Sequence, residues 1–136
     1  MLVGEIAQEE LYRENPQFAR DAKAYVPDPE AISGLKEIAA RTKIVVFLGT
    51  WCSDSQSEIP KLLKVIDETG NRNFEVTVYG LDRTKQDEAG NALAHGILFV
   101  PTVVLYRADQ ALGRIVEYPE RSMEADLLDI LRAHSD

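Results

Sequence analysis

The soft nucleophile of this chain is its sole cysteine, Cys52, which lies in Gly49-Thr50-Trp51-Cys52-Ser53-Asp54-Ser55. Five apolar residues, Ile44 to Leu48, run up to this segment. Beyond it, Ile59, Leu62, Leu63 and Ile66 recur at helical spacing. A thiol at such a strand-to-helix junction faces unpaired backbone N–H groups and the positive end of the helix dipole, and both favour the thiolate. The common state of a free cysteine is a small buried hydrophobe. Here a polar run with one large aromatic surrounds it, which suits an exposed turn and a functional thiol. Asp54, in the first helical turn, has a simple role in stabilising the helix end; as a possible modulator it would exchange protons with a substrate or repel anionic partners.

Other chemistries lack their residues. One cysteine forbids an internal disulfide and a multi-cysteine zinc site. His95 and His134 show no metal-ligand spacing and take no role, so no metal is expected. No glycine-rich phosphate loop is present, and no cofactor is expected. Fifteen Lys and Arg against 23 Asp and Glu leave a formal charge of −8, which repels nucleic acid and anionic membrane surfaces alike. The longest apolar run falls far short of the roughly 20 residues that cross a bilayer. Glu5, Glu9 and Glu10 replace the basic start of a targeting segment. A reducing, cytoplasmic setting is the expectation.

The elements that must position Cys52 fit one domain over residues 1–136, 45% hydrophobic, without repeats or linkers. Gly4 to Tyr25 reads as two short helices broken at Asn15-Pro16. A third starts at Asp28-Pro29 and carries Ile32, Leu35, Ile38 and Ala39 up to Arg41. Residues 1–42 thus read as a helical N-terminal extension packed on the domain. Lys43 to Gly49 is apolar without alternation, as in a strand covered on both faces. The helix after Cys52 leads to an alternating run at Phe74, Val76 and Val78, which completes a parallel β-α-β unit. Asp82 to Gly96 reads as a loose connection with at most one helical turn. Pro101–Tyr106 and Leu112–Tyr118 form an antiparallel hairpin around Asp109. Ser122 caps a last helix that buries Met123, Leu127 and Leu131. Glu120, Glu124, Asp126 and Asp129, within the acid-rich stretch 117–136, read as its solvated face.

Trp51-Cys52-Ser53-Asp54-Ser55, a following helix with Pro60, Val100-Pro101-Thr102 at the start of a hairpin, and the β-α-β, β-β-α order together resemble the thioredoxin-like family from about Lys43 onward. GTWCSDSQ (Gly49–Gln56) with Gly113–Pro119 is similar, more narrowly, to a group of bacterial thioredoxin-family proteins. The resemblance implies an α/β fold with a central mixed sheet flanked by helices, here with extra N-terminal helices. It makes Cys52 the nucleophile, Trp51 the aromatic beside it, Pro101 the cis-proline facing the sulfur, and the Val100 backbone an edge for substrate peptide. Three departures stand out. Ser55 replaces the resolving cysteine, giving a C-x-x-S site whose hydroxyl would donate to the Cys52 thiolate. Val46 occupies the place of a buried acid. Helices replace the family's short opening strand. A peroxiredoxin-like site lacks its proline and threonine. A monothiol glutaredoxin shares the C-x-x-S spacing but not the surrounding residues.

The function expected from this resemblance is monothiol exchange. Cys52 forms mixed disulfides with disulfide-bearing or oxidised protein substrates, or with a low-molecular-weight thiol, and an external thiol releases them. The alternative is a redox-inactive module that keeps the peptide groove at Pro101.

Overall fold

The computed structural model describes residues 1–134; Ser135 and Asp136, the end of the acid-rich stretch, lie outside the described residues. Along the chain run β1 (Gly4–Ile6), α1 (Gln8–Glu14), α2 (Pro16–Ala24), α3 (Pro29–Lys36) and β2 (Thr42–Leu48). They are followed by α4 (Ser53–Thr69), β3 (Phe74–Gly80), α5 (Asn91–Ala94), β4 (Thr102–Arg107), β5 (Gln110–Val116) and α6 (Met123–Arg132). The five strands form one sheet in the order β1-β3-β2-β4-β5. β2 and β3 are parallel, and the other pairs are antiparallel.

The continuous apolar run of β2 follows from its central place. Ile44, Val46 and Leu48 face one side, where they pack with Val78, Val103 and Leu105 against Leu11, Phe18, Leu35, Ile59, Leu62 and Leu127 of the helices. Val45 and Phe47 face the other side, where Leu81, Ala92, Ile97, Val100 and Val104 cover them. One face therefore carries the helical layer. The other is covered by the segment between β3 and β4. Each fully buried Leu, Ile or Phe contributes roughly 1.5–3 kcal/mol, so β2 is firmly anchored on both faces.

The N-terminus corrects the all-helical reading. Gly4–Ile6 pairs antiparallel with Val78–Gly80, forming the short opening strand that the sequence did not disclose. Three residues are too few to show a period of two. Gly80 makes the approach feasible, since a Cβ there would lie 2.1 Å from the carbonyl oxygen of Leu2. The break at Asn15-Pro16 is present, with Pro16 opening α2, although the Asn15 side chain accepts no capping bond. Asp28 does cap α3, accepting from the Ala31 N–H. α3 stops at Lys36 instead of Arg41, and Ala39 is exposed.

Farther along, the hairpin turns at Ala108-Asp109, and β5 starts two residues earlier than the pattern suggested. It ends at Val116 because Glu117 takes a positive φ of 67° and donates its N–H to the Pro101 carbonyl. Ser122 caps α6 by accepting from the Ala125 N–H, with Met123, Leu127 and Leu131 buried as the spacing predicts. Glu124 departs from the solvated-face reading. It is only 2% exposed and accepts from the Tyr25 hydroxyl and the Asp28 N–H.

Candidate functional site

The register of the sheet assembles the site. Phe47 of β2 lies opposite Thr102 of β4, so the loop leaving β2 and the loop entering β4 emerge side by side at one sheet end. Cys52 sits on the first loop and Val100-Pro101 on the second. The Val100–Pro101 peptide is cis. The Cys52 thiol donates to the Val100 carbonyl at a sulfur–oxygen distance of 3.6 Å.

Cys52 is the N-cap residue of α4, with an extended backbone, and its own N–H bonds to the Gly49 carbonyl. Its side chain caps nothing, which leaves the half-buried sulfur available at the helix start. Trp51 is locked beside it by an indole N–H bond of 2.9 Å to the Leu81 carbonyl. The ring lies over Gly49 so closely that a Cβ there would be 2.6 Å from it. Only glycine lets the loop fold back under the indole. Gln56 ties the same loop down by donating to the Thr50 carbonyl.

Ser55 is fully buried, and its hydroxyl oxygen accepts the Gly49 N–H at 3.1 Å. As an acceptor it holds the loop backbone, since the Gly49 N–H has no other acceptor and burying it unpaired would be costly. The resemblance implied that the hydroxyl donates to the Cys52 thiolate; among the described residues no bond joins the two, and the thiol donates to Val100. Asp54 is half-buried in the first turn of α4, with no hydrogen-bond or ion-pair partner among the described residues. Val46 is wholly buried among apolar side chains. Pro60 is buried inside α4.

Sequence reasoning missed the wall contributed by the segment after β3. The Arg83 guanidinium lies over the Trp51 ring and the Lys85 ammonium over the Phe99 ring, 5.6 and 5.8 Å from the ring centroids. The carboxylates that flank them accept hydrogen bonds from their own loop, Asp82 at the surface and Asp87 buried. Asp82 accepts from the Thr84 hydroxyl and the N–H groups of Thr84 and Gln86. The Thr84 bond is the main reason its carboxyl lies below the ordinary value. Asp87 is buried, which alone would raise its carboxyl, but bonds from Ala92 N–H and from the Asn91 backbone and side chain hold it lower. A run of Asp, Thr, Asn and Gln at turn spacing was the available signal. His95, which took no role in the sequence, is half-buried against Phe47, Tyr79 and Tyr106, with ring centroids 5.2 to 6.5 Å apart. Its Nδ1 lies 2.9 Å from the Asn91 carbonyl. Among the described residues no group of His, Cys, Asp and Glu is arranged to hold a metal ion, and no helix is long and apolar enough to cross a membrane.

The mixed sheet, its flanking helices and a cysteine at the start of α4 define a thioredoxin-like α/β fold. A protein of unknown function from Pseudomonas aeruginosa is similar over nearly the whole chain, with 18% identity, a TM-score of 0.70 and coverage of 96% of this chain and 99% of that one. Trxlp from Edwardsiella tarda is 21% identical with a TM-score of 0.53, covering 77% of this chain and 95% of its own. Fasciola hepatica thioredoxin is 20% identical with a TM-score of 0.51, covering 78% and 90%. No family model matches the chain, and no curated protein matches it.

Proposed function

We propose that this protein is a monothiol thiol-disulfide exchange protein of the cytoplasm, in which Cys52 forms mixed disulfides with oxidised protein substrates or low-molecular-weight thiols. The observation that carries the reading is the placement of the Cys52 sulfur. It is half-buried at the start of a 17-residue helix, 3.6 Å from the Val100 carbonyl and beside an immobilised indole. The thiolate attacks one sulfur of a substrate disulfide, a new S–S bond forms, and the second substrate sulfur leaves as a thiolate. With a sulfenic acid substrate, the leaving group is hydroxide, which takes up a proton as water. The buried Ser55 supplies no second thiol, so release requires an external thiolate that attacks the mixed disulfide and regenerates Cys52.

Trp51, Val100 and Pro101 form the substrate contact surface in this reading, and Ser55 holds the loop through Gly49. The test is to expose the protein to a disulfide-bearing peptide and to cell extract, and then to separate adducts without reductant. Wild type accumulates adducts at Cys52 that a thiol reverses, and Cys52→Ser forms none. An unmodified Cys52, with peptide retained non-covalently by both proteins, overturns exchange and leaves a binding module.

A further inference from the structure

Outside the sulfur and its two loops, the wall between β3 and β4 joins three features without a structural use. The first is apolar exposure. Leu93, Leu98 and Phe99 are 87%, 73% and 48% exposed, and Leu98 and Phe99 directly precede the Val100-Pro101 pair that faces Cys52. Single exposed hydrophobes are ordinary, but a contiguous set beside a reactive group marks a contact surface. The second is a cavity of about 600 Å³, open to solvent, with Thr84 to Asp87 on one side and Leu93, Ile97 and Leu98 on the other.

The third is charge. In a chain of net charge −8, the two side chains stacked on this wall are cations. Arg83 covers the ring of the residue before Cys52, and Lys85 covers the ring of the residue before Val100. Neither has a carboxylate within ion-pairing distance among the described residues. The nearby Asp82 and Asp87 are engaged by their own loop. A cation over an aromatic face keeps its charge and most of its hydration, so Arg83 and Lys85 remain charged donors open to a ligand carboxylate, beside Asp82, Asp87 and Glu88 of the same segment.

We propose that this wall selects the substrate of Cys52: a protein segment with an apolar side chain and a carboxylate side chain next to its disulfide cysteine. The apolar side chain enters the cavity beside Leu93 and Leu98, and the carboxylate meets Lys85 and Arg83 at the rim. This rests on the thiol-exchange reading for its covalent step, but the surface itself does not. The discrimination is local: Arg83 and Lys85 have no carboxylate partner among the described residues, so a carboxylate placed at this rim gains a contact that a lysine there would lose.

Peptides carrying one cysteine as a 2-thiopyridyl disulfide, flanked by Glu and Leu, Lys and Leu, or Glu and Ser, provide the test. Capture by Cys52 releases pyridinethione, and its rate is compared with that of the neutral 2,2′-dithiodipyridine on each protein. The Glu-Leu peptide is captured about tenfold faster than either of the others at low salt, and the advantage over Lys-Leu shrinks as salt rises. With Arg83→Glu/Lys85→Glu, the Glu-Leu over Lys-Leu preference disappears or inverts. With Leu98→Ser, the Glu-Leu over Glu-Ser preference falls. Equal capture of all three peptides overturns the proposal, as does an equal gain for glutathione disulfide, which would reduce the effect to charge alone. Cys52→Ser separates the two readings, with Trp51, the sole tryptophan, reporting non-covalent binding by fluorescence. Preferential binding of an unactivated Glu-Leu peptide, with no reaction of wild type toward dithiodipyridine, retains the docking surface and removes thiol exchange. Absence of such a preference in both assays removes the docking surface.

Discussion

At the scale of single residues, the site depends on how Ser55 is used. Its hydroxyl oxygen accepts the Gly49 N–H, and that bond holds the loop on which Trp51 and Cys52 sit. Ser55→Cys replaces an oxygen acceptor by a weak sulfur one, so the reduced variant should be less stable by about 1–3 kcal/mol, the cost of an unpaired buried donor. Once oxidised, it gains an option the parent lacks. Cys52 occupies the N-cap position of α4 and residue 55 lies one turn in, on the same face, so the two sulfurs can close an internal disulfide. Mass spectrometry should show an oxidised variant lighter by two hydrogens, with few intermolecular adducts. Its reductase turnover should stay slow, because the apolar, fully buried Val46 stands where the resemblance puts an acid. Persistent intermolecular adducts without that mass loss would contradict the shared-face geometry. The place of Cys52 at the helix start was legible from the strand and helix patterns on either side, and the cis peptide at Pro101 facing it from the resemblance. The true partner of Ser55 was not, because a serine hydroxyl six residues from a backbone N–H leaves no compositional trace.

At the scale of elements, the helices with clear apolar spacing, α4 and α6, and the central strand were legible, since burial on one or two faces dictates their patterns. β1 and the anchoring of α2 and α3 were not. The tie between α6 and the N-terminal segment is the Glu124 carboxylate, which accepts the Tyr25 hydroxyl at 2.8 Å and the Asp28 N–H at 2.8 Å across nearly a hundred residues. In sequence, Glu124 is one more acid in an acid-rich helix start. Glu124→Leu leaves two donors without an acceptor, and urea unfolding should register a loss of about 2 kcal/mol. Tyr25→Phe should cost about 1 kcal/mol, and the double variant less than the sum, since both remove the same bond. Hydrogen exchange should locate the loosening in α2 and α3 while β2 and β4 remain protected. Additive losses, or uniform loss of protection, would show that this carboxylate is not the tie.

At the scale of the whole molecule, three tyrosine phenols, Tyr12, Tyr25 and Tyr79, are held above their ordinary pKa, and that of Tyr25 joins the N-terminal segment to α6. Tyr25 is raised first by burial and then by its bond to Glu124. Burial leads for Tyr12 too, followed by the charge of Asp67, and for Tyr79 burial is followed by the charge of Glu5. A phenol raised in the folded state keeps a proton that the unfolded chain releases. Its contribution to stability is therefore complete below the unfolded value of about 10 and is lost as pH rises from there through the folded value. The melting temperature should be nearly level through neutral pH and then fall above about pH 10. Net negative charge also promotes alkaline unfolding by self-repulsion, so the two causes need separating. Added salt screens repulsion between exposed charges but leaves the desolvation of a buried phenol largely intact. Tyr25→Phe should start from a lower stability at pH 7 yet lose less between pH 10 and 12, and this difference in slope should survive at high salt. A slope identical to wild type would assign alkaline unfolding to overall charge alone and leave the Tyr25–Glu124 contact without a part in it.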